Sequence, residues 1–143
     1  MGRRGMGAEG KSTIKKAKGQ SLVEFALLVP LMLILAVGIS EFGRGWMTRN
    51  VLTAAAREAV RTAAMPPALG GGTGPGRARG LTILNAAGIP TPPADVVVVD
   101  DGNPFGIVTA TATYTFPLVV AGFVPGLAAN FPLSSISTMR KEY

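Results

Sequence analysis

Few side chains in this sequence have types and spacings suited to chemistry. The first is a carboxylate in an unfavourable solvent: Glu24 alone interrupts the apolar run from Leu22 to Ile39, LVEFALLVPLMLILAVGI. A carboxylate in the middle of a membrane helix costs on the order of 2.5–3.5 kcal/mol, and less near the interface. Two accounts of Glu24 stay open. Either it snorkels at headgroup level, or it has a cation partner in the same low-dielectric place, which a new N-terminal amine would provide. The next charged set is Arg57, Glu58 and Arg61. Glu58 and Arg61 are three apart on a helix-compatible stretch and can pair, worth a few tenths of a kcal/mol on a solvated face. Asp100 and Asp101 are adjacent, but two acids fall short of the six or more oxygens that Ca²⁺ takes, and a hairpin turn accounts for them better. The glycines between Gly70 and Gly76 lack the Gly-Lys-Ser/Thr of a phosphate cradle and follow no strand, so they read as a linker.

Absences narrow the function further. The 143 residues include no Cys and no His. That removes disulfides, thiol nucleophiles, cysteine metal sites, the commonest general base and the commonest metal ligand. No catalytic residue, metal or cofactor is expected, and the chain reads as no enzyme. The formal net charge is +6, but most of it sits in residues 1–19, where Arg3, Arg4, Lys11, Lys15, Lys16 and Lys18 face Glu9 alone. A nucleic-acid binder needs its basic groups on a folded face, preferably interleaved with aromatics. Here they form a Gly-containing tail just before an apolar run, which fits a cytoplasmic anchor under the positive-inside rule. Nucleic acid is not an expected partner; membrane lipid is.

The elements that must position these residues begin with a long helix. Eighteen residues from Leu22 to Ile39 cover about 27 Å, close to the hydrocarbon thickness of a bilayer. A secretory signal peptide competes with a retained anchor, since Ala36-Val37-Gly38 offers a small-x-small cleavage site. The run is longer than a usual h-region, and helix-compatible sequence continues to Met65, which favours the anchor. Pro30 is the single proline from Ser21 to Met65 and predicts a kink near residues 26–30. Trp46 lies just past the apolar run, at a belt position. Leu52, Ala55, Ala56, Ala59, Val60 and Ala63 then recur at three- and four-residue steps, a small-residue stripe that lets a sheet pack close. Met65-Pro66-Pro67 ends the helix.

Beyond it, 66–79 reads as a loop, 81–87 as a short helix stopped by Gly88, and 96–99, 107–116 and 134–139 as strands. Val108, Ala110, Ala112, Tyr114 and Phe116 alternate with Thr109, Thr111, Thr113 and Thr115, giving one apolar and one threonine face. The apolar excursion 117–132 is either a lid on the core or a contact surface, with Phe123 at its centre.

The stretch Lys18-Gly19-Gln20-Ser21-Leu22-Val23-Glu24-Phe25-Ala26 resembles the class III signal of type IV prepilins. In those, a basic leader ends in Gly, a peptidase cuts after it, and Glu is fifth in the mature chain; here Glu24 is fifth after a cut between Gly19 and Gln20. With Pro30, Glu41-Phe42-Gly43-Arg44 and Ala55-Ala56-Arg57-Glu58-Ala59-Val60-Arg61-Thr62-Ala63, the resemblance is more specifically to the TadE-like family of Tad (tight adherence, Flp) pilus systems. Ala59 stands where that family usually has Gly. The last residues, Ser134 to Glu142, look like the family's final strand. Gln20 in place of a leading Phe favours the Tad branch over type IVa pilins and type II secretion pseudopilins.

The expectation is an α+β protein: a basic cytoplasmic leader (1–19, cleaved), a long N-terminal helix (20–65, transmembrane at about 22–39) and a small extracytoplasmic head (66–143) with a short antiparallel sheet of about three strands. The resemblance implies a minor pilin or pseudopilin, processed at Gly19-Gln20 and taking part in Tad pili used for adhesion. Its implied partners are a prepilin peptidase, other pilins and the Tad assembly platform. The residues themselves make Glu24 a candidate for charge pairing in assembly, and Arg57, Glu58, Arg61 and Phe123 candidate subunit contacts, beside the plainer readings of an interfacial charge, a solvated face and a loop over the head's own core. The location implied is the bacterial cytoplasmic membrane, N-terminus inside and head outside, and then the pilus. Two alternatives stand beside this reading: a membrane-anchored binding module never built into a filament, and a secreted enzyme cut after Gly38.

Overall fold

The computed structural model describes residues 10–141 and 143, and for residues 10–18 the backbone only. Arg3, Arg4, Glu9 and Glu142 of the expectations above lie outside the described residues. The order of elements is α1 (Gly10–Ala63), a 3₁₀ turn (Pro67–Leu69), α2 (Thr73–Ala86), β1 (Asp95–Asp100), β2 (Ile107–Pro117), a second 3₁₀ turn (Val120–Gly122) and β3 (Asn130–Arg140). The chain divides into two compact units, Met1–Ile39 and Ser40–Tyr143, so the division falls within α1.

In the first unit, α1 carries an 18-residue window of mean hydropathy 2.6, none of it buried among the described residues. Leu22, Phe25, Leu27, Met32 and Leu33 are each more than half exposed. A helix that is apolar all round and left uncovered by the described residues presents a surface suited to an apolar surrounding. α1 is long and apolar enough to cross a membrane. It starts at Gly10, earlier than the sequence led us to expect. Residues 10–20 hold no proline and several good helix formers, so nothing stops the helix from running back into the basic segment. Pro30 lies inside α1.

The second unit is an α+β head. Its sheet is a three-stranded antiparallel meander in the order β1-β2-β3. Val96 pairs with Ala112 and Val98 with Ala110 on one side of β2, while Ser135 pairs with Ala112 and Ser137 with Ala110 on the other. Alternation along β2 works out as expected: Val108, Ala110, Ala112 and Phe116 are buried, and the threonines between them are exposed or half-buried. The α1 stripe Leu52, Ala55, Ala56, Ala59, Val60 and Ala63 supplies the other half of the same core.

Two expectations need correcting. The segment 66–79 is not a plain loop, because α2 begins at Thr73 and includes Gly74-Pro75-Gly76. Pro75 sits in the first turn, where the missing N–H would have had no helical partner anyway. Glycine is needed here by packing: a Cβ on Gly76 would stand 2.6 Å from the carbonyl oxygen of Ala59 and 2.8 Å from the Ala63 side chain. A Cβ on Gly80, one turn on, would meet Val96 at 3.0 Å and Ala59 at 3.2 Å. Small residues on both helices therefore let α2 lie directly on α1. The helix stops as expected at Gly88, whose φ of +75° is left-handed.

The second correction concerns 117–132, read above as an excursion outside the strands. β2 runs to Pro117 and β3 starts at Asn130, so Phe116 pairs with Phe131 and Pro117 with Asn130. Pro132 is accepted because β3 is an edge strand and has a ladder on one side only.

Candidate functional site

Four charged groupings stand out, and α1 carries three of them. At the start of the apolar window, Gln20 Nε2 donates to Glu24 Oε1 at 3.3 Å, one helical turn apart. Both side chains are exposed, and among the described residues nothing beyond the helix's own neighbouring backbone lies within 4 Å of where a Cβ on Gly19 would stand. Gly19, Gln20 and Glu24 thus lie together on an open stretch of helix. A peptidase cutting at Gly19-Gln20 would leave the new amine one turn from the carboxylate.

Glu41 forms the second grouping, two residues past Ile39. It is only 6% exposed. Arg44 Nη1 donates to Glu41 Oε1 at 2.6 Å, and the backbone N–H of Val119 donates to Oε2 at 3.4 Å. The Arg44 guanidinium also stands 5.2 Å from the centroid of the Phe116 ring, within range of a cation–π attraction. This carboxylate therefore joins the first head turn of α1 to the end of the β2–β3 hairpin. Sequence reasoning included Glu41 and Arg44 in the family resemblance but gave them no role. The available signal was an acid and a base three apart, immediately after an apolar run.

The third grouping is Glu58. Arg61 donates to it twice, from Nε at 3.0 Å and Nη2 at 2.7 Å, and Arg79 of α2 adds a longer contact at 3.4 Å. The hydrogen bond from Arg61 is the main cause that holds this carboxyl below its ordinary range, with Arg79 adding to it. Arg57 is exposed on the neighbouring flank. Arg79 was missed because the sequence offers no hint that α2 returns across α1.

The fourth lies at the opposite end of the sheet. Lys141, only 6% exposed, donates from Nζ to Asp100 Oδ1 at 2.7 Å. The Asp100 carboxyl is lowered by this ammonium and then by the N–H of Gly102. Asp101 is lowered by the N–H groups of Ile107 and Asn103, and Lys141 is raised chiefly by Asp100. The two acids close the β1–β2 turn, as their position led us to expect; their cation comes from the end of β3.

The head also has an open cleft of about 250 Å³, lined by Arg77, Leu81, Thr91, Pro92, Pro93, Ala94 and Asp95. Its carboxylate is already paired, with Arg77 Nη2 2.8 Å from Asp95 Oδ1. Among the described residues no three acidic, His or Cys side chains come together as a metal site. Phe123 is two-thirds exposed in the β2–β3 connection.

A long apolar helix followed by a small head with a three-stranded antiparallel sheet is the α+β architecture expected from the sequence. Comparison with known families agrees: residues 19–61 match the family model of TadE-like proteins. The match opens on Gly19 and takes in Glu24, Pro30, Glu41, Arg44, Arg57, Glu58 and Arg61, which supports a TadE-like protein of the Tad pilus system. No curated protein and no solved structure matches the chain.

Proposed function

We propose that this chain is a TadE-like minor pilin or pseudopilin, matured by a prepilin peptidase that cuts between Gly19 and Gln20. The observation carrying this reading is the coincidence of three features. Gly19 opens the family match, Glu24 is fifth beyond it, and both stand at the start of the apolar part of α1, whose surface no described residue covers. The leader lies in the cytoplasm, residues 22–39 cross the membrane and the head lies outside, in keeping with the positive-inside rule.

Cleavage removes the basic leader and leaves the Gln20 amine as the nearest cation to Glu24. When the helix leaves the bilayer for the apolar interior of a filament, an unpaired carboxylate would cost several kcal/mol. The Gln20 amine, from the same or a neighbouring subunit, offsets that cost and sets the axial register. Arg57 and Arg61, exposed beside the satisfied Glu58, supply polar contacts to a neighbouring pilin or to the assembly platform.

The test compares pilus-associated with membrane-retained protein for Glu24→Ala and Glu24→Gln in cells carrying the Tad machinery. Both variants insert, and both are depleted from pili. Incorporation of Glu24→Ala at the wild-type ratio would return Glu24 to the role of an interfacial charge.

A further inference from the structure

The connection between β2 and β3 is an unusual surface for a small head. From Pro117 to Phe131 the chain holds no charged side chain, yet Val119, Phe123, Leu127 and Phe131 are 55%, 66%, 44% and 55% exposed. Glu41 determines where this segment sits. Val119 donates its N–H to Glu41, and Phe116, at the base of the hairpin end, lies under Arg44. Glu41 is two residues past the end of the apolar run, about 3 Å of helix rise. Phe42 and Trp46, 74% and 58% exposed, stack on each other in the same turns at a ring separation of 6.3 Å. The apolar hairpin end and an aromatic pair therefore share the first turns of the head's part of α1, which follow the apolar run directly in sequence.

We propose that the 117–131 segment is a second membrane contact, which lies in the headgroup and upper acyl region of the bilayer that the anchor crosses. Aromatic side chains favour that depth, where a ring has an apolar body beside wet headgroups. Lipid-exposed irregular backbone is excluded from the hydrocarbon core because its polar groups go unpaired, so the contact is shallow. Five of the segment's backbone donors are paired within the protein. Leu118 N–H bonds to Ala129, Gly122 to Val119, Phe123 to Val120, Leu127 to Val124 and Val119 to Glu41. Arg44, half exposed beyond its pair with Glu41, is placed to meet a lipid phosphate. Anchor and hairpin end together hold the head against the bilayer, and pilus assembly then requires this contact to be released.

The inference rests on the reading that residues 22–39 cross the membrane, and the experiment separates the two. The chain has no cysteine, so single cysteines placed by Leu31→Cys, Phe42→Cys, Val99→Cys or Phe123→Cys take one environment-sensitive fluorophore each. The full chain is reconstituted at low protein density in phosphatidylethanolamine–phosphatidylglycerol vesicles containing shallow- or deep-brominated lipid. The expected result is strong quenching at position 31 by deep bromines. At 123, shallow bromines quench to the same extent as at 42 and several-fold more than at Val99, which lies at the far end of the sheet. Quenching at 31 with position 123 no more quenched than 99 overturns the hairpin contact and leaves the anchor standing. No quenching at 31 overturns both. A label at 123 that is shielded only as protein density rises, without lipid quenching, shows a subunit contact and overturns the proposal. Leu127→Cys gives the same reading if Phe123→Cys fails to fold.

Discussion

The backbone N–H of Val119 donates to the Glu41 carboxylate across 78 residues of chain, at 3.4 Å. Because Arg44 occupies the other carboxylate oxygen, Glu41 is both an ion-pair member and a hydrogen-bond acceptor in a nearly buried place. Replacing it with Ala leaves a guanidinium and a backbone N–H without this acceptor, which costs about 1–3 kcal/mol. Glu41→Ala should therefore lower the melting temperature of the detergent-solubilised chain by several degrees, followed through the fluorescence of Trp46. Glu41→Gln keeps an acceptor and should lose less. Equal losses for the two would mean that charge, and not the bond to Val119, secures the hairpin end.

Packing of α2 on α1 gives a second test. A methyl group at Gly76 would run into the Ala59 carbonyl, and overpacking of this kind costs about 1–3 kcal/mol. Gly76→Ala should destabilise the head by that order in denaturant titration. Gly74→Ala, with nothing within 4 Å of the added Cβ, should be neutral or stabilising by up to about 1 kcal/mol, because alanine restricts the unfolded chain more than glycine does. A harmless Gly76→Ala would contradict the close helix contact.

The sheet end opposite the hairpin predicts a pH dependence. Asp100 and Asp101 are held below the ordinary 3.8, by Lys141 and by backbone donors respectively. A carboxyl lowered in the folded state contributes stability above its unfolded value, and that contribution is lost as pH falls through the folded one. Lys141 is raised above 10.5 by Asp100. Its contribution is complete below that value and disappears as pH rises through the folded pKa. Melting temperature should therefore fall off below about pH 4 and again in strong base. Asp100→Asn should flatten both limbs, whereas Asp101→Asn should flatten the acid limb more than the basic one. An unchanged acid limb in both variants would sink this account.

Much of the head was legible because its elements follow period rules. The alanine stripe of α1 recurs at helical spacing, and threonine alternates with apolar residues along β2, so both core faces could be read before any contact was known. Those features are local. Misreadings came where distant packing overrode local preference. Gly74-Pro75-Gly76 reads as a breaker by propensity, yet it is the first turn of α2, with Pro75 where no helical donor is needed and Gly76 against the Ala59–Ala63 surface. Pro132 reads as a strand stop, yet an edge strand tolerates it. The charged groups divide in the same way. The Glu58–Arg61 pair follows from spacing, but Arg79, Lys141 and the Val119–Glu41 bond depend on topology that no short motif encodes. Gly19 and Glu24 stand out in the sequence alone, and the family match opens on Gly19.

The most direct test of the central claim is the mass of the protein recovered from sheared pili and, separately, from the membrane fraction. Processing at Gly19 predicts a pilus-associated chain that begins at Gln20 and retains Glu24 as its fifth residue. The same chain should appear in the membrane fraction of cells that carry the peptidase, with the precursor accumulating when Gly19 is replaced by a bulky residue. A pilus-associated chain that still carries its basic leader, or one that begins at Ile39, would contradict the account.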